Sequence, residues 1–195
     1  MRGSRTSVLR AVTVVSAAVL TSISCGREDS SLPRSDRGAV GTLEATIREP
    51  SDSGGMPATL RDVRTALQGD SAVRVVFEFA EPRLPGYSIG YSTQPPTACG
   101  SGKALAIEAK AYLGVRLSPA QAHTARGEEQ VATAEPRDRR PALGPLDRLI
   151  ETCDFEGVVQ WVLGLRERLP YRAFTLKAPT RLVIDLLTDS SALSR

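Results

Sequence analysis

The sequence predicts an all-β protein, an antiparallel β-sandwich or open barrel of about eight short strands that follows a signal peptide and a disordered tether. Several short segments alternate apolar and polar residues with a period of two, which is the pattern of strands with one buried face. Glycine and proline separate these segments, and no convincing amphipathic helix interrupts them. These observations favour a single β domain.

A secretory signal peptide is predicted over residues 1–24. Its start carries three arginines and no acidic residue, and an apolar run follows at 11–23. The run has about 13 residues, whereas a membrane-spanning helix needs about 20. This pattern is typical of a cleavable export signal.

Cys25 is the predicted lipid attachment site. The residues Ser22-Ile23-Ser24 before it resemble the lipobox of bacterial lipoproteins, in which a small residue precedes the cysteine that receives a diacylglyceryl group. A lipobox usually has leucine where this chain has Ser22. Ordinary signal peptidase would cut the same bond and leave Cys25 as a free thiol, so both outcomes stay open, and we favour lipidation.

Cys99 and Cys153 are predicted to form a disulfide. The chain has three cysteines, and if Cys25 carries lipid the other two remain as one pair. In an oxidising compartment they would close a loop of about 50 residues, which the chain-entropy model values at about 4 kcal/mol. Two buried reduced cysteines are the alternative.

Charge excludes one class of partner. The chain carries 25 basic and 22 acidic residues, and its net charge of +3 equals the three arginines of the signal peptide. The mature chain is therefore neutral, and nothing in its charge favours binding to nucleic acid.

Composition divides the mature chain. Residues 25–58 are polar, with only scattered apolar residues, and are predicted to form a disordered tether. The β domain is predicted over 59–188, followed by a tail at 189–195. Within the domain, residues 118–145 contain four prolines and a charged run, which favours a long disordered loop.

Eight strands are predicted within the domain. The clearest is 73–79, where positions 73, 75, 77 and 79 are apolar and positions 74 and 78 between them are charged. The last three strands are expected to form a meander, because their connections are short and contain proline. The predicted strands are 60–67, 73–79, 87–91, 104–117, 146–153, 158–165, 171–177 and 181–187.

Five segments carry a family pattern: RVVFEF at 74–79, PGY at 85–87, DFEGVVQWVLGL at 154–165, YRAFTL at 171–176 and PTRLVID at 179–185. Together they resemble the AMIN-like domain of bacterial lipoproteins and secreted proteins, over most of residues 59–188. The resemblance implies a non-catalytic all-β module, related to the AMIN domain that localises envelope proteins partly through peptidoglycan. It implies no ligand residues.

Asp154 and Glu156 are the candidate acidic pair. On an extended segment their carboxylates would lie about 6 to 7 Å apart on one side. Glycosidases use that separation, and it could also hold a hard cation. We favour a solvated strand edge or turn, because exposed acids are common. Arg74 and Arg172 are further candidates for a ligand-binding polar surface.

Three further motifs lack the context that their chemistry needs. The Gly-x-Ser-x-Gly motif at 86–90 lies in an alternating strand, and the only histidine, His123, lies in the long loop. The glycine-rich segment 97–103 departs from a P-loop. Trp161 alternates with apolar neighbours and is expected in the core. No catalytic residue, metal site or cofactor is predicted.

The expected function is a lipid-anchored, non-enzymatic binding module of the cell envelope that contacts peptidoglycan or an envelope protein. It would lie on the outer face of the cytoplasmic membrane or in the periplasm and outer membrane. One alternative is a small cell-wall glycan hydrolase that uses Asp154 and Glu156. Another is a scaffold that recruits proteins by strand addition.

Overall fold

The computed structural model describes residues 42–50, 56–126 and 129–188. The signal peptide, Cys25 and the tail at 189–195 lie outside the described residues, as does most of the tether. In the described part of the chain, no helix is long and apolar enough to cross a membrane.

The described residues form thirteen strands and no helix, which confirms the all-β prediction. Eight of these strands match the eight predicted ones, and five short strands were not predicted. The strands are β1 (Thr46–Arg48), β2 (Ala58–Gln68), β3 (Ala72–Phe79), β4 (Gly86–Ser92), β5 (Ala111–Ser118), β6 (Ala120–Gln121), β7 (His123–Arg126), β8 (Glu129–Ala132), β9 (Asp138–Arg139), β10 (Leu146–Phe155), β11 (Val158–Leu165), β12 (Tyr171–Leu176) and β13 (Arg181–Leu187).

Two main sheets enclose the core. The six-stranded sheet has the order β1-β4-β5-β11-β10-β9 and is antiparallel throughout. The five-stranded sheet has the order β12-β13-β3-β2-β6, and only its β2–β6 pair is parallel. Strands β7 and β8 form a separate hairpin. The fold is a β-sandwich.

The core follows from the alternation along each strand. In β3, every second residue from Val73 to Phe79 is buried, and in β11 the same holds for the alternate residues that include Trp161. The rings of Phe77 and Trp161 meet edge to face with centroids 6.3 Å apart. Trp161 is therefore a core residue, as its apolar neighbours predicted.

The predicted meander of the last three strands is wrong in one connection. Strands β12 and β13 pair as expected, but β11 belongs to the other sheet. The chain crosses between the sheets at residues 166–170, where Leu169 is buried. The Tyr91 hydroxyl donates to the Leu169 carbonyl at 2.5 Å and accepts from its amide at 3.0 Å. These hydrogen bonds satisfy the backbone of Leu169 where the chain passes from one sheet to the other. This connection takes the place of the expected hairpin.

The prediction of a disordered loop at 118–145 is also wrong, because its described residues form four short strands. Single alanines at 120, 122 and 134 are buried in the core. The Arg139 guanidinium donates to the carbonyls of Val63 and Ala134. Small buried residues and hydrogen bonds from arginine to backbone carbonyls order this segment. Neither can be predicted from its polar composition.

The described residues near the end of the predicted tether are folded, so the domain begins before residue 59. Strand β1 pairs with β4, and Thr42 forms a bridge to Tyr171. The buried Tyr171 hydroxyl lies 2.6 Å from the Glu44 carbonyl and 3.0 Å from the Ile89 carbonyl. A buried hydroxyl needs such partners, so residues 42–48 complete the fold.

Candidate functional site

The outer face of the six-stranded sheet is only partly covered. Ser88, Arg116 and Gln160 stand opposite one another on β4, β5 and β11. Gly90 and Gly114 are directly paired in the next row. These residues alternate with buried ones, so they lie on the face away from the core.

The glycine pair leaves the middle of this face open. A Cβ atom built on Gly114 would meet nothing closer than the Gly90 carbonyl oxygen at 3.6 Å. One built on Gly90 would meet the Ala45 methyl group at 3.5 Å. Glycines inside a strand often mark places where a ligand approaches the backbone. Here they form the floor of a groove.

Residues 93–110, which we call the crossing segment, form the wall at one end of the groove, where residues 94–97 line it. The Cys99–Cys153 disulfide joins it to β10, with the two Cα atoms 5.2 Å apart, as the cysteine count predicted. The Cys99 amide donates to the Thr152 carbonyl at 2.9 Å. Strand β5 was predicted to begin at residue 104, but residues 104–110 belong to the crossing segment.

Gly164 allows the crossing segment to lie close to the sheet. A Cβ atom at this position would be 2.9 Å from Cγ2 of Ile107. Ile107 packs with Ile150 and Val162 in a small apolar cluster outside the main core. The Tyr112 hydroxyl donates to the Ile107 carbonyl at 3.1 Å. The wall is thus held by a covalent bond, an apolar cluster and hydrogen bonds.

The other wall is β1. Ile47 stands opposite Ser88 and is 72% exposed, and Ala45 lies beside Gly90. An exposed isoleucine at the rim offers an apolar contact to a bound molecule.

The groove beside β1 has a volume of about 440 Å³ and continues into a second hollow of about 250 Å³, which the crossing segment lines. Gly114, Thr152, Gln160 and Val162 line both parts. Arg116 lines the larger part and has no ion-pair or hydrogen-bond partner among the described side chains. The groove can therefore offer hydrogen bonds and one positive charge to an elongated polar ligand.

Asp154 and Glu156 do not form the candidate carboxylate pair. Glu156 has a φ of 50° and Gly157 a φ of 74°, and they are the two central residues of the β10–β11 hairpin, in which Phe155 pairs with Val158. Positive φ at both central residues is the signature of a type I′ turn. Glu156 therefore lies in an exposed turn and not on the strand that carries Asp154.

The Asp154 carboxylate is committed to hydrogen bonds within the fold. It accepts from the Ala122 amide at 2.9 Å and from Arg137 at 3.1 Å, and it lies 2.8 Å from Nδ1 of His123. Arg137 also binds Glu151 at 2.6 Å. This ionic cluster joins the 118–145 segment to β10, so Asp154 is a structural residue.

Glu151 is the member of this cluster with a strongly shifted pKa. Burial is the largest influence and, with the nearby Asp154 carboxylate, outweighs the Arg137 charge, so the pKa rises to about 7. The Glu151 charge therefore changes near neutral pH.

Arg74 and Arg172 are held in an ion-pair triad on the five-stranded sheet. Arg74 donates to Asp185 at 2.7 and 3.0 Å, and Arg172 donates to it at 2.9 Å. Both guanidinium groups also lie over the Phe174 ring. The structure thus does not bring the four candidate residues together, since Asp154 belongs to the other sheet.

The remaining motifs have structural positions. The segment at 86–90 lies in β4, and its Ser88 faces the groove. The glycine-rich segment at 97–103 is a turn closed by a bridge between Thr97 and Ala104. Within the described ranges, no group of three or more His, Cys, Asp or Glu side chains is arranged to hold a metal.

Sequence reasoning missed Gly90, Gly114 and Arg116 as site residues. Their alternation with buried neighbours was visible, but their pairing depends on the register between β4 and β5.

The family model that describes the AMIN-like domain matches residues 58–188. No curated protein and no solved structure matches the chain significantly.

Proposed function

Because the chain belongs to the AMIN-like domain family, a family of cell-envelope modules, we propose that it is a lipid-anchored, non-enzymatic module that binds peptidoglycan in its outer-face groove. An envelope protein is the alternative partner. Family membership supports the location, and the open groove supports the binding role.

The groove carries the proposal for the ligand. Peptidoglycan presents hydroxyl groups, amides and carboxylates along an extended strand. Ser88, Thr152 and Gln160 offer hydrogen bonds to the first two, and the unpaired Arg116 matches a carboxylate. The glycine floor lets such a strand lie close to the backbone. By contrast, the placement of Asp154 and Glu156 gives no support to the glycan hydrolase alternative.

Filling the groove is expected to weaken binding strongly. In Gly114→Leu the new side chain projects into the open space above the strand, and Gly114 has ordinary strand φ, so the fold tolerates it. We expect at least about tenfold weaker binding of the mature protein to isolated sacculi, since a bulky group excludes the ligand from its contacts. Co-sedimentation over a concentration series measures the effect.

Ala66→Leu is the matched control, because Ala66 is exposed on the opposite sheet and gains a side chain of the same size. It should bind sacculi as the unchanged protein does. Equal binding by both variants would exclude the groove as the glycan site, and lack of binding by the unchanged protein would exclude peptidoglycan.

The proposed anchor follows from the export signal and Cys25. Only 16 residues separate Cys25 from Thr42, the first described residue of the domain. Fully extended, they reach about 55 Å. A lipid on Cys25 would therefore hold the domain close to the membrane surface.

We expect Cys25→Ser to lose palmitate labelling and to move from the membrane fraction to the soluble fraction, because it lacks the thiol that carries the lipid. The mass of the mature amino terminus measures cleavage and acylation together. Cys99→Ser is the control and should keep the label. Labelling that persists in Cys25→Ser would contradict the anchor.

A further inference from the structure

A second cavity of about 880 Å³ opens at one end of the sandwich. It lies where β3 leads into β4 and where residues 177–180 turn from β12 into β13. None of its lining residues belongs to the groove. It is therefore a separate site.

The lining of this cavity is basic. Arg48, Arg83 and Lys177 contribute three positive charges, and among the described lining residues Glu81 is the only acidic one. A Glu81 oxygen already accepts from the Thr59 amide at 2.8 Å. In the described part of the chain, none of the three cations has an ion-pair or side-chain hydrogen-bond partner.

Arg83 is the least exposed of the three cations. It is partly buried, whereas Arg48 and Lys177 are exposed. A charge in a partly buried position is less screened by water and attracts a bound anion more strongly. We therefore expect Arg83 to contribute most to the binding of an anion in this cavity.

We propose that the cavity binds the phosphate group of a phosphorylated ligand, held by Arg83 with Arg48 and Lys177. Two uncompensated positive charges match a phosphate, and a guanidinium donates to phosphate oxygens in a paired geometry. The cavity is much larger than a phosphate group alone. Its apolar walls, formed by Pro82, Leu176 and Pro179, would contact the rest of the ligand.

A calorimetric titration, in which glycerol phosphate is added to the mature protein, tests the proposal. Arg83→Gln is expected to weaken binding at least about tenfold, since it removes the charge and the paired donors. Lys177→Gln should weaken it less, and because Lys177 is exposed this variant tests the site without risk to the fold. Arg61→Gln removes an exposed arginine from β2 and should bind normally.

A second arm distinguishes the source of the phosphate. Vesicles of phosphatidylcholine with phosphatidylglycerol are compared with vesicles of phosphatidylcholine alone, and every protein in this arm carries Cys25→Ser, because a lipid on Cys25 would insert into both kinds of vesicle. Binding to glycerol phosphate assigns a soluble ligand, and binding only to the anionic vesicles assigns a lipid headgroup, provided that Arg83→Gln weakens it. No binding in either arm, or equal binding by Arg83→Gln and Arg61→Gln, would overturn the proposal. Gly114→Leu should leave this binding unchanged, which separates it from the groove.

Discussion

Replacing Cys99 and Cys153 together by serine is expected to lower the free energy of unfolding by about 4 kcal/mol. The disulfide links residues 54 positions apart, so its loss frees a long loop in the unfolded chain. Denaturant unfolding followed by circular dichroism measures the change. The unchanged protein in reducing agent should unfold like the variant.

The same substitution should also loosen the crossing segment. Without the bond between Cys99 and Cys153, that wall of the groove is held by the Ile107 cluster and a few hydrogen bonds. Amide hydrogen exchange should rise in residues 93–110 while β3 and β13 stay protected. A loss of stability below about 1 kcal/mol, with unchanged exchange, would show that the disulfide is not what holds this wall.

Asp185→Asn is expected to destabilise the fold by about 2 to 3 kcal/mol. Asp185 is 1% exposed and receives three hydrogen bonds from Arg74 and Arg172. Its replacement leaves two arginines without their counter-charge. Because both arginines are partly exposed, water compensates in part, and the loss is smaller than for a fully buried pair.

The pH dependence of stability gives a second measure of this carboxylate. Burial alone would raise the pKa of Asp185 and is the largest single influence, but the bonds and charges of Arg74 and Arg172 together hold the pKa below its usual value. The stabilisation is therefore complete above the unfolded pKa and is lost as the pH falls through the lower folded pKa. Unfolding curves between pH 7 and about pH 2 should show that loss in the unchanged protein and not in Asp185→Asn.

Asp147→Asn is the matched control for this substitution. Asp147 pairs with Arg166 on the surface, where both side chains are solvated. Surface pairs contribute about 1 kcal/mol or less, so this variant should be nearly neutral. Equal effects of the two substitutions would mean that burial does not strengthen the Asp185 triad.

The strands were predictable because their information is local. In β3 and β11 each residue's side of the sheet follows from its immediate neighbours, and Trp161 was placed in the core on that basis. The membership of β11 in the other sheet was not predictable in this way. It depends on Tyr91 and Leu169, which lie far apart in the sequence.

The site was harder to predict because it is made by pairing. In the sequence, Gly90 and Gly114 are two isolated glycines in separate strands. Only the register between β4 and β5 shows that they are paired. The candidate acidic pair is absent for a local reason: Glu156-Gly157 between two alternating runs indicates a two-residue hairpin turn. Buried alanines in the 118–145 segment are too small to give a signal of their own.

Strand β1 gives the domain a mechanical property. Residues 42–48 bridge to β12 of one sheet and pair with β4 of the other, so they connect both layers at the amino-terminal side. If the protein is tethered at Cys25, tension on the tether reaches Thr42 first and then the short β1–β4 ladder. That ladder is three residue pairs long, so it would yield before the longer strands. Its release would remove Ile47 and Ala45 from the groove, which would make ligand binding sensitive to pulling force.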